Sequence, residues 1–383
     1  MEYRRFGRTG LQVSLLGIGG GYLCLLEEEE GRRLYRCALE LGITYFDGRY
    51  GGSSAMLRPL VQHDRERLVL GTKTAETTAE GALGRIEEDL RELGTDYIDV
   101  FYLRTYSREM LNQHLAAGGS AEGVLQAKER GKVRALGLSG HSDLRVLADG
   151  IATGLIDACL FPLNIVRREG LRELVPVAQR HDVGLAVMKP LSVGMVPPEL
   201  GLPWLANQPI HTMAPGVSNL AQLEADAHAL DRPSLALSVA EEAAIEGWRR
   251  SLETRTCRIC DQLCQPLCEA KLPIDMLLYH DVFYNQYRAL GLAGFLEAPL
   301  ASWARAGAED HFARALAQVR ACTRCGRCEE ACPYHLPVRE MLDRLAADCA
   351  VLIEALRGTG WKERYAEAAA PWQASRQGRR FLN

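Results

Sequence analysis

The sequence predicts an α/β chain, with a (β/α)8 barrel followed by a mostly α-helical domain. Eight short apolar runs alternate with longer amphipathic stretches over residues 1–232. From residue 233 this alternation stops, and helical spacing takes over. Eight of the twelve cysteines fall in two tight groups within that second part. We therefore divide the 383 residues into a barrel domain at 1–232 and a helical domain at 233–383.

The eight apolar runs are the candidate strands of the barrel. They lie at residues 13–18, 43–47, 68–73, 98–103, 133–138, 158–162, 185–189 and 210–215. Helical stretches lie between them, as at 81–93, where apolar residues recur at steps of three and four. Eight strand-then-helix units in a row favour a closed parallel TIM barrel over an open sheet. Polar residues that end these strands are then expected at the mouth, where such barrels carry out their chemistry.

Composition limits the classes of partner. Hydrophobic residues make up 47% and charged residues 25% of the chain, which is typical of a globular protein. The 45 basic and 49 acidic residues give a net charge of −4, which argues against nucleic acid or an anionic membrane as the main partner. No apolar run approaches the roughly 20 residues of a membrane span. The N-terminus lacks the apolar core of a secretion signal, so we expect a cytoplasmic protein.

Helices account for most of the pattern after residue 233. One is predicted over 235–252, a mostly helical stretch of about fifty residues separates the two cysteine groups, and another helix runs from Pro337 to about Leu356. The tail at 369–383 is polar and irregular. In the barrel, the acidic run at 27–30 precedes a helical pattern, where carboxylates favour the positive end of the helix dipole.

The second cysteine group has the spacing of an iron–sulfur motif. Cys322, Cys325, Cys328 and Cys332 follow the pattern C-x2-C-x2-C-x3-C, and a proline follows the last cysteine. This is the run found in bacterial two-cluster ferredoxins, in which the fourth cysteine binds the other cluster. A zinc site needs four soft ligands but does not explain the proline. We therefore expect an iron–sulfur cluster.

The first group supplies the matching half. Cys257, Cys260, Cys264 and Cys268 have the spacing C-x2-C-x3-C-x3-C, which alone is also compatible with a zinc knuckle. Beside the second group we expect a crossed pairing on two [4Fe-4S] clusters. One cluster takes Cys257, Cys260, Cys264 and Cys332, and the other takes Cys322, Cys325, Cys328 and Cys268. The extra residue in the first group leaves the roles of Cys264 and Cys268 open.

The clusters predict a link to one-electron carriers, such as a ferredoxin or another electron-transfer partner. The long helical interval resembles the α-helical, ferredoxin-like modules of reductases. The alternative is that the clusters serve only to hold the fold together. The isolated cysteines, Cys24, Cys37, Cys159 and Cys349, are expected to be small buried hydrophobic residues.

Several motifs in the barrel resemble the aldo-keto reductase family, in the branch that carries a C-terminal ferredoxin-like domain. The opening YRRFGRTGLQVS at 3–14 matches the family, as do GITYFD at 42–47, DYID at 96–99, GKVRALGLS at 131–139 and MKPL at 188–191. These matches occur in order and fall at strand ends. The resemblance implies a TIM barrel that binds NADPH or NADH and a small-molecule substrate.

The resemblance also implies a set of catalytic residues. Asp47 and Lys73 end the second and third strands, as the family's Asp and Lys do, and Tyr50 resembles its proton-donating Tyr. Only two residues separate Asp47 from Tyr50, where the family usually has four. Arg104 stands where the family has His, and because a guanidinium does not deprotonate, it can stabilise an oxyanion or hold an anion but cannot act as a titrating acid.

Other basic residues fall on loops at the same end of the predicted barrel. Arg49, Arg167 and Arg168 suggest a substrate that carries a carboxylate or phosphate, although for Arg167 and Arg168 solvated loop arginines are at least as good an explanation. His141 either replaces the lost proton relay or is an ordinary loop histidine.

The nucleotide contacts implied by the resemblance are partly altered. Those at the nicotinamide are Ser139, Asn164 and Lys189, although Gly140 and His141 follow Ser139 where an Asn is usual, and Leu160 replaces a common Gln. The implied phosphate contacts are Gly216, Ser218, Asn219 and Gln222, which follow the eighth strand and open a helix whose N–H groups suit an anion. Asp226 replaces the Asn that commonly meets adenine.

The sequence thus predicts an iron–sulfur oxidoreductase that reduces a small carbonyl or enoate substrate, with an anionic group indicated by the arginines. Two alternatives stay open. One is a reductase driven by ferredoxin with no nicotinamide bound. The other is a non-catalytic electron-transfer or redox-sensing subunit of a larger complex.

Overall fold

A computed structural model describes residues 1–21, 23, 26–48, 53–141, 143–258, 263–297 and 310–360. The chain forms two compact units, Met1–Trp248 and Arg249–Asn383. By compactness the first unit therefore extends beyond the boundary that the sequence pattern suggests at residue 232. Each unit is described by itself below.

The described part of the first unit contains ten strands. They are β1 (Tyr3–Arg5), β2 (Gln12–Ser14), β3 (Ile18–Gly19), β4 (Tyr45–Asp47), β5 (Val69–Thr74), β6 (Ile98–Arg104), β7 (Val133–Ser139), β8 (Ala158–Pro162), β9 (Gly184–Met188) and β10 (Thr212–Ala214). Strands β3 to β10 form one parallel sheet in which each strand pairs with its neighbours in sequence. Parallel bridges from Leu16 to Met213 and from Gly19 to Gly216 join its two ends. The sheet is therefore a closed eight-stranded barrel, as predicted.

The first predicted strand, at residues 13–18, is divided in two. Its start lies in β2, which pairs with β1 as an antiparallel hairpin outside the barrel sheet. Its end leads into the short barrel strand β3, and the backbone of Leu15 and Gly17 exchanges hydrogen bonds with Met213. The other seven predicted strands overlap the observed ones to within about two residues at each end, as is usual for element boundaries.

The loop of the hairpin packs against the amino-terminal end of the barrel. Phe6 is fully buried, and a Cβ added at Gly184, the first residue of β9, would lie 2.8 Å from its ring. Gly7 has φ +53°, and a Cβ there would lie 2.3 Å from the backbone nitrogen of Gly184. Only glycine fits this close approach. This end of the barrel is filled, so the carboxyl ends of the strands form the other rim.

Two buried tyrosines fill the interior of the barrel. The hydroxyls of Tyr45 on β4 and Tyr102 on β6 are hydrogen-bonded at 2.8 Å, and burial raises the pKa of both phenols well above the ordinary value. Gly71 and Gly137 on the neighbouring strands leave the space for the Tyr102 ring. Pairing the hydroxyls with each other satisfies polar groups that would otherwise be costly to bury.

Eleven helices of the described residues begin in the first unit. They are α1 (Glu28–Glu40), α2 (Ser53–Asp64), α3 (Ala79–Leu93), α4 (Arg108–Leu115), α5 (Ser120–Glu129), α6 (Leu144–Ala152), α7 (Gly170–Glu173), α8 (Val175–Arg180), α9 (Pro198–Ala206), α10 (Leu220–Leu230) and α11 (Val239–Glu253). Helix α11 begins later than the predicted residue 235 because Ser238 and Glu241 form a capping box. Of the acidic run at 27–30, Glu27 is the N-cap of α1 and the other three residues lie in its first turn, as expected.

The described residues of the second unit contain helices and no strand. They are α12 (Ile274–Tyr279), α13 (Asp281–Glu297), α14 (Asp310–Arg320), α15 (Arg327–Glu330) and α16 (Val338–Leu356). Their apolar faces form one core that includes Cys328, Cys332 and Cys349. The predicted helix after Pro337 is confirmed, whereas the tail at 369–383 lies outside the described residues. Across the part of the chain that is described, no helix is both long and apolar enough to span a bilayer.

We predict that replacing Gly137 destabilises the barrel, because the Tyr102 ring occupies the space next to it. A Cβ at Gly137 would lie 2.3 Å from the Tyr102 ring, so Gly137→Ala must displace that ring in a closely packed interior. We expect the free energy of unfolding to fall by about 1–3 kcal/mol in chemical denaturation. Gly84→Ala is the control, since a Cβ there meets nothing within 4 Å and the helix should gain about 0.5–1 kcal/mol. Equal stability of the two variants would contradict the prediction.

Candidate active site at the barrel mouth

A buried ion pair lies at the carboxyl ends of β4 and β5. The Nζ of Lys73 lies 2.9 Å from both carboxylate oxygens of Asp47. The side chains are only 5% and 7% exposed, so neither charge is well hydrated. In such surroundings each charge depends on the other, because losing one partner strands a buried charge. The structure thus brings together two of the predicted catalytic residues.

The next two strands present Arg104 and Ser139 at the same level. These residues are paired in the register of β6 and β7, and Ser139 is buried. The backbone oxygen of Arg104 lies 2.8 Å from Nε2 of His114, and Nδ1 of that ring lies 2.5 Å from the Ser120 hydroxyl. His114 therefore fixes the end of β6. Sequence reasoning missed this contact, because His114 belongs to helix α4, away from any motif.

His141 follows β7 and lies among basic residues. Burial is the largest cause that lowers its pKa well below the ordinary value, and the charges of Lys189, Lys73, Arg167 and Arg104 lower it further. Its Nδ1 is buried and has no hydrogen-bond partner in the described part of the chain. The ring is therefore neutral at neutral pH, which disfavours the predicted role as a proton relay.

The loop after β8 is organised by Asn164. Its Oδ1 accepts hydrogen bonds from the backbone N–H groups of Val166 and Arg167, at 2.9 and 2.8 Å. Its Nδ2 donates to the backbone oxygen of Lys189 at 3.0 Å, and Lys189 has φ +54°. This one amide holds the backbone of both basic residues. Whether Asn164 also contacts a nicotinamide stays a prediction.

The predicted phosphate segment caps its own helix. Asn219 is the N-cap of α10 and accepts a hydrogen bond from the N–H of Gln222 at 2.9 Å. The Oε1 of Gln222 accepts from the N–H and the hydroxyl of Ser218, at 2.9 and 2.8 Å. Gly216 joins the segment to β3 through its bridge to Gly19. The segment lies where the sequence places it, but Ser218 already has a partner for both of its donors.

The remaining predicted site residues are Tyr50, Arg49 and Arg168. Tyr50 and Arg49 lie outside the described residues, so their places in the site stay predictions. Arg168 forms an ion pair with Glu246 at 2.7 Å and lies over the Trp204 ring at 4.9 Å. These contacts explain Arg168 without a ligand, in contrast to its buried neighbour Arg167.

In the second unit, the chain segments that carry the cysteine groups lie close together. Glu269, next to Cys268, contacts the hydroxyl of Thr323 at 3.2 Å and the guanidinium of Arg327 at 3.0 Å. The backbone of Arg327 lowers the pKa of the Cys325 thiol, and the Thr323 side chain and the backbone of Glu269 lower it further. Glu269, which follows Cys268, thus contacts residues of the second group, and the crossed pairing stays a prediction.

A further contact joins the segments around Cys257 and Cys332. Arg258, next to Cys257, lies over the ring of Tyr334, which follows Cys332 by two residues, at 5.6 Å. Backbone N–H groups donate to the sulfur atoms of Cys322 and Cys268, in each case at 3.4 Å. Cys260 lies outside the described residues, and among those that are described no three potential ligands converge closely enough to hold a metal ion.

The isolated cysteines behave as small hydrophobic residues where they are described. Cys159 and Cys349 are buried, and burial raises the pKa of the Cys349 thiol to about 12. Cys37 is half-buried, and Cys24 lies outside the described residues.

Comparison with known proteins relates the barrel to one family. Residues 16–201 match the model of the aldo/keto reductase family. The barrel is similar to that family over these residues. Its fold resembles the structure of aldo-keto reductase AKR11C1 from Bacillus halodurans, with a TM-score of 0.56 and 22% identity over 65% of this chain and 96% of that one. At this identity the structural likeness supports the fold alone.

Several known proteins match about half of this chain. L-galactose dehydrogenase of Arabidopsis thaliana is 28% identical over 223 residues, which are 52% of this chain and 69% of the relative. An aldo-keto reductase of Mycobacterium avium is 30% identical over 193 residues, which are 48% and 63% of the two chains. L-glyceraldehyde 3-phosphate reductase of Escherichia coli K12 is 27% identical over 51% and 63%. The family match ends before the second unit begins.

Asp226 in helix α10 predicts a pH-dependent stability. It is 3% exposed, and burial raises its pKa to about 7, from 3.8. The unfolded chain releases this proton at lower pH than the folded chain. Stability from Asp226 is thus fully present below about pH 4, and it is lost as the pH rises through about 7.

We therefore expect Asp226→Asn to stabilise the protein at pH 8 relative to wild type, by up to about 4 kcal/mol. The gain should shrink toward zero near pH 3, because the carboxyl is then mostly protonated in both states. Denaturant unfolding of both proteins at the two pH values measures this difference. Asp231→Asn, at an exposed residue that ends the same helix, should show no such trend. A pH-independent difference for Asp226→Asn would refute the assignment.

Proposed function

We propose that this chain is an NAD(P)H-linked oxidoreductase that reduces a small, anionic carbonyl or enoate substrate, with two [4Fe-4S] clusters in its second unit. The buried Asp47–Lys73 ion pair at the mouth of the aldo/keto reductase barrel carries this proposal. It supplies a fixed ammonium group in a site with little water, where an electrostatic effect on a neighbouring acid is large.

Proton transfer is assigned to Tyr50 in the carbonyl reaction. The ammonium of Lys73 stabilises the phenolate and so favours donation of the phenol proton to the carbonyl oxygen. Asp47 holds Lys73 in place through both carboxylate oxygens. Arg104 stabilises the negative charge that develops on the substrate oxygen. One hydride at carbon and one proton at oxygen then give the alcohol.

A bound nicotinamide nucleotide would supply that hydride and leave in its oxidised form. Ser139, Asn164 and Lys189 would contact the nicotinamide end. Gly216, Ser218, Asn219 and Gln222 would hold the phosphates at the start of α10, where N–H groups and the helix dipole suit an anion. The names of the relatives agree with this class of reaction, since L-galactose dehydrogenase and L-glyceraldehyde 3-phosphate reductase both denote redox chemistry on small polar molecules.

The eight grouped cysteines would hold the clusters, which supply one-electron transfer. Thiolates are the usual ligands of such clusters, and N–H groups that donate to sulfur tune their potentials. Two such donors are present, at Cys322 and Cys268. The contacts of Glu269 and Arg258 agree with the crossed ligand sets. A ferredoxin, or another protein that transfers single electrons, is the partner that this chemistry requires.

One observation favours a second candidate function. The donors of Ser218 are both satisfied by Gln222, so a phosphate has to displace that side chain. A reductase that binds no nicotinamide needs no such displacement. In that case a ferredoxin would deliver two electrons through the clusters, and two protons would complete the reduction of an activated double bond.

Titration of the anaerobically purified protein with NADPH and with NADH tests these alternatives. Nicotinamide fluorescence and the cluster absorption band are followed together. We expect tight binding with bleaching of the band. Oxidation of one NAD(P)H to NAD(P)+ and a proton releases two electrons, and each cluster accepts one of them. Binding without bleaching would mean that the nucleotide binds but does not reduce the clusters. If neither nucleotide binds, the first proposal is wrong and the ferredoxin-driven reaction becomes the leading one.

The Tyr50→Phe variant completes this test. It should abolish carbonyl turnover while nucleotide binding and the cluster absorption stay intact, because only the proton donor is lost. Tyr3→Phe is the matched control. Tyr3 is half exposed, and its hydroxyl donates to the backbone oxygen of Gly42, at the start of the motif that Asp47 ends. Unchanged turnover in Tyr50→Phe would remove Tyr50 from the mechanism.

Analysis of iron and acid-labile sulfide tests the cluster assignment. Two [4Fe-4S] clusters require about eight iron atoms per chain. We expect Cys268→Ala to lose about half of the iron and to change the electron paramagnetic resonance spectrum of the reduced protein. Cys349→Ala, a buried cysteine of the same unit outside both groups, should keep its iron. About one zinc per group, with no sulfide, would overturn the assignment in favour of zinc sites.

A further inference from the structure

Five neighbouring strands each contribute one basic residue to the mouth of the barrel. Lys73 lies on β5 and Arg104 ends β6, whereas His141, Arg167 and Lys189 follow β7, β8 and β9. They come from separate parts of the sequence, and the register of the parallel strands brings them to one side of the rim. This is the side on which Lys73 meets Asp47.

These residues act on one another at short range. The charges that act on the His141 ring are those of Lys189, Lys73, Arg167 and Arg104, and all four are positive. Asp47 balances Lys73 directly. Arg167 is only 4% exposed, so its charge is poorly screened by water. The positive field around His141 therefore favours a negatively charged ligand.

The backbone around this site is held in place before any ligand binds. The side-chain amide of Asn164 makes three hydrogen bonds. Two of them hold the backbone N–H of Arg167 and the backbone oxygen of Lys189. Lys189 adopts φ +54°, a conformation that is uncommon for residues other than glycine and that marks functional sites when the surroundings impose it. His114 fixes the end of β6 at Arg104.

The position of this positive region limits the size of the ligand. Lys73 on β5 is in register with Tyr102 on β6, and Arg104 follows Tyr102 by two residues on the same face of that strand. An anionic group bound at Arg104 and the carbon that is reduced beside Lys73 are therefore only a few bonds apart in the substrate. Guanidinium groups match the planar carboxylate with two parallel hydrogen bonds. The buried, unpartnered Nδ1 of the neutral His141 ring adds a group that can hydrogen-bond to the same ligand.

We propose that Arg104, Arg167 and Lys189, beside the neutral ring of His141, bind the carboxylate of a 2-oxo acid whose carbonyl faces Lys73. This inference rests on the proposed function and names its substrate class. The carboxylate selects the substrate and places its carbonyl carbon for reduction. Neutral aldehydes and ketones offer no carboxylate to these basic side chains and are expected to be poor substrates.

Binding of oxamate, a 2-oxo acid analogue that is not reduced, tests the site without any turnover. Calorimetry is carried out on the full-length protein and on Arg167→Gln, with Arg167→Lys as a second variant that keeps the charge. We expect Arg167→Gln to weaken oxamate binding by about tenfold to a hundredfold, and Arg167→Lys to weaken it less. Arg168→Gln is the control, because the adjacent guanidinium is already paired with Glu246. Melting curves establish that each variant is folded.

Kinetics with pyruvate and pyruvamide provide the second measurement. The ratio of their kcat/KM values should favour pyruvate and should fall in Arg167→Gln, mainly through the KM for pyruvate. Oxamate binding that is the same in wild type and Arg167→Gln would overturn the inference. So would inorganic phosphate that binds more tightly than oxamate.

The two proposals fail in different ways. Reduction of neutral carbonyls by a protein that does not bind oxamate would overturn the carboxylate site and leave the proposed function standing. Oxamate binding that depends on Arg167, in a protein that oxidises neither NADPH nor NADH, would support the site and overturn the nicotinamide-linked reaction.

Discussion

Closure of the parallel sheet is the constraint on which the candidate site depends. The bridges that join Leu16 to Met213 and Gly19 to Gly216 close the barrel, so every strand ends at one rim. Side chains more than a hundred residues apart in sequence, such as Lys73 and Lys189, then act on the same imidazole ring. The hairpin around Phe6 packs against the opposite end, which leaves the carboxyl rim for ligands.

Burying charge at that rim has a cost, and the structure meets it with fixed partners. Asp47 and Lys73 neutralise each other by two short contacts. Beneath them, Tyr45 and Tyr102 share a hydrogen bond, so the interior contains polar groups without unpaired phenols. Burial keeps the ring of His141 neutral, and the positive charges of four basic residues add to this effect, which suits ligand recognition better than proton transfer.

The second unit is built differently, from helices around one apolar core that includes two of the grouped cysteines. Among the described residues, Glu269 joins its cysteine segments through contacts with Thr323 and Arg327. If the clusters are present, they would add cross-links that a small helical unit needs for stability.

The sequence by itself determined the barrel, because hydrophobic periodicity and strand-end motifs are local properties. Asp47 and Lys73 could be predicted because each ends one of the apolar segments. It also determined the cysteine spacing, and with it the chemistry that we propose for the second unit. Only the tertiary structure decided that Asn164 and Gln222 are engaged by their own loops, that His114 anchors Arg104, and that Arg167 is buried while Arg168 pairs with Glu246. Adjacent arginines look alike in a sequence, and their roles differ because the packing of distant elements sets which charge is desolvated and which is screened.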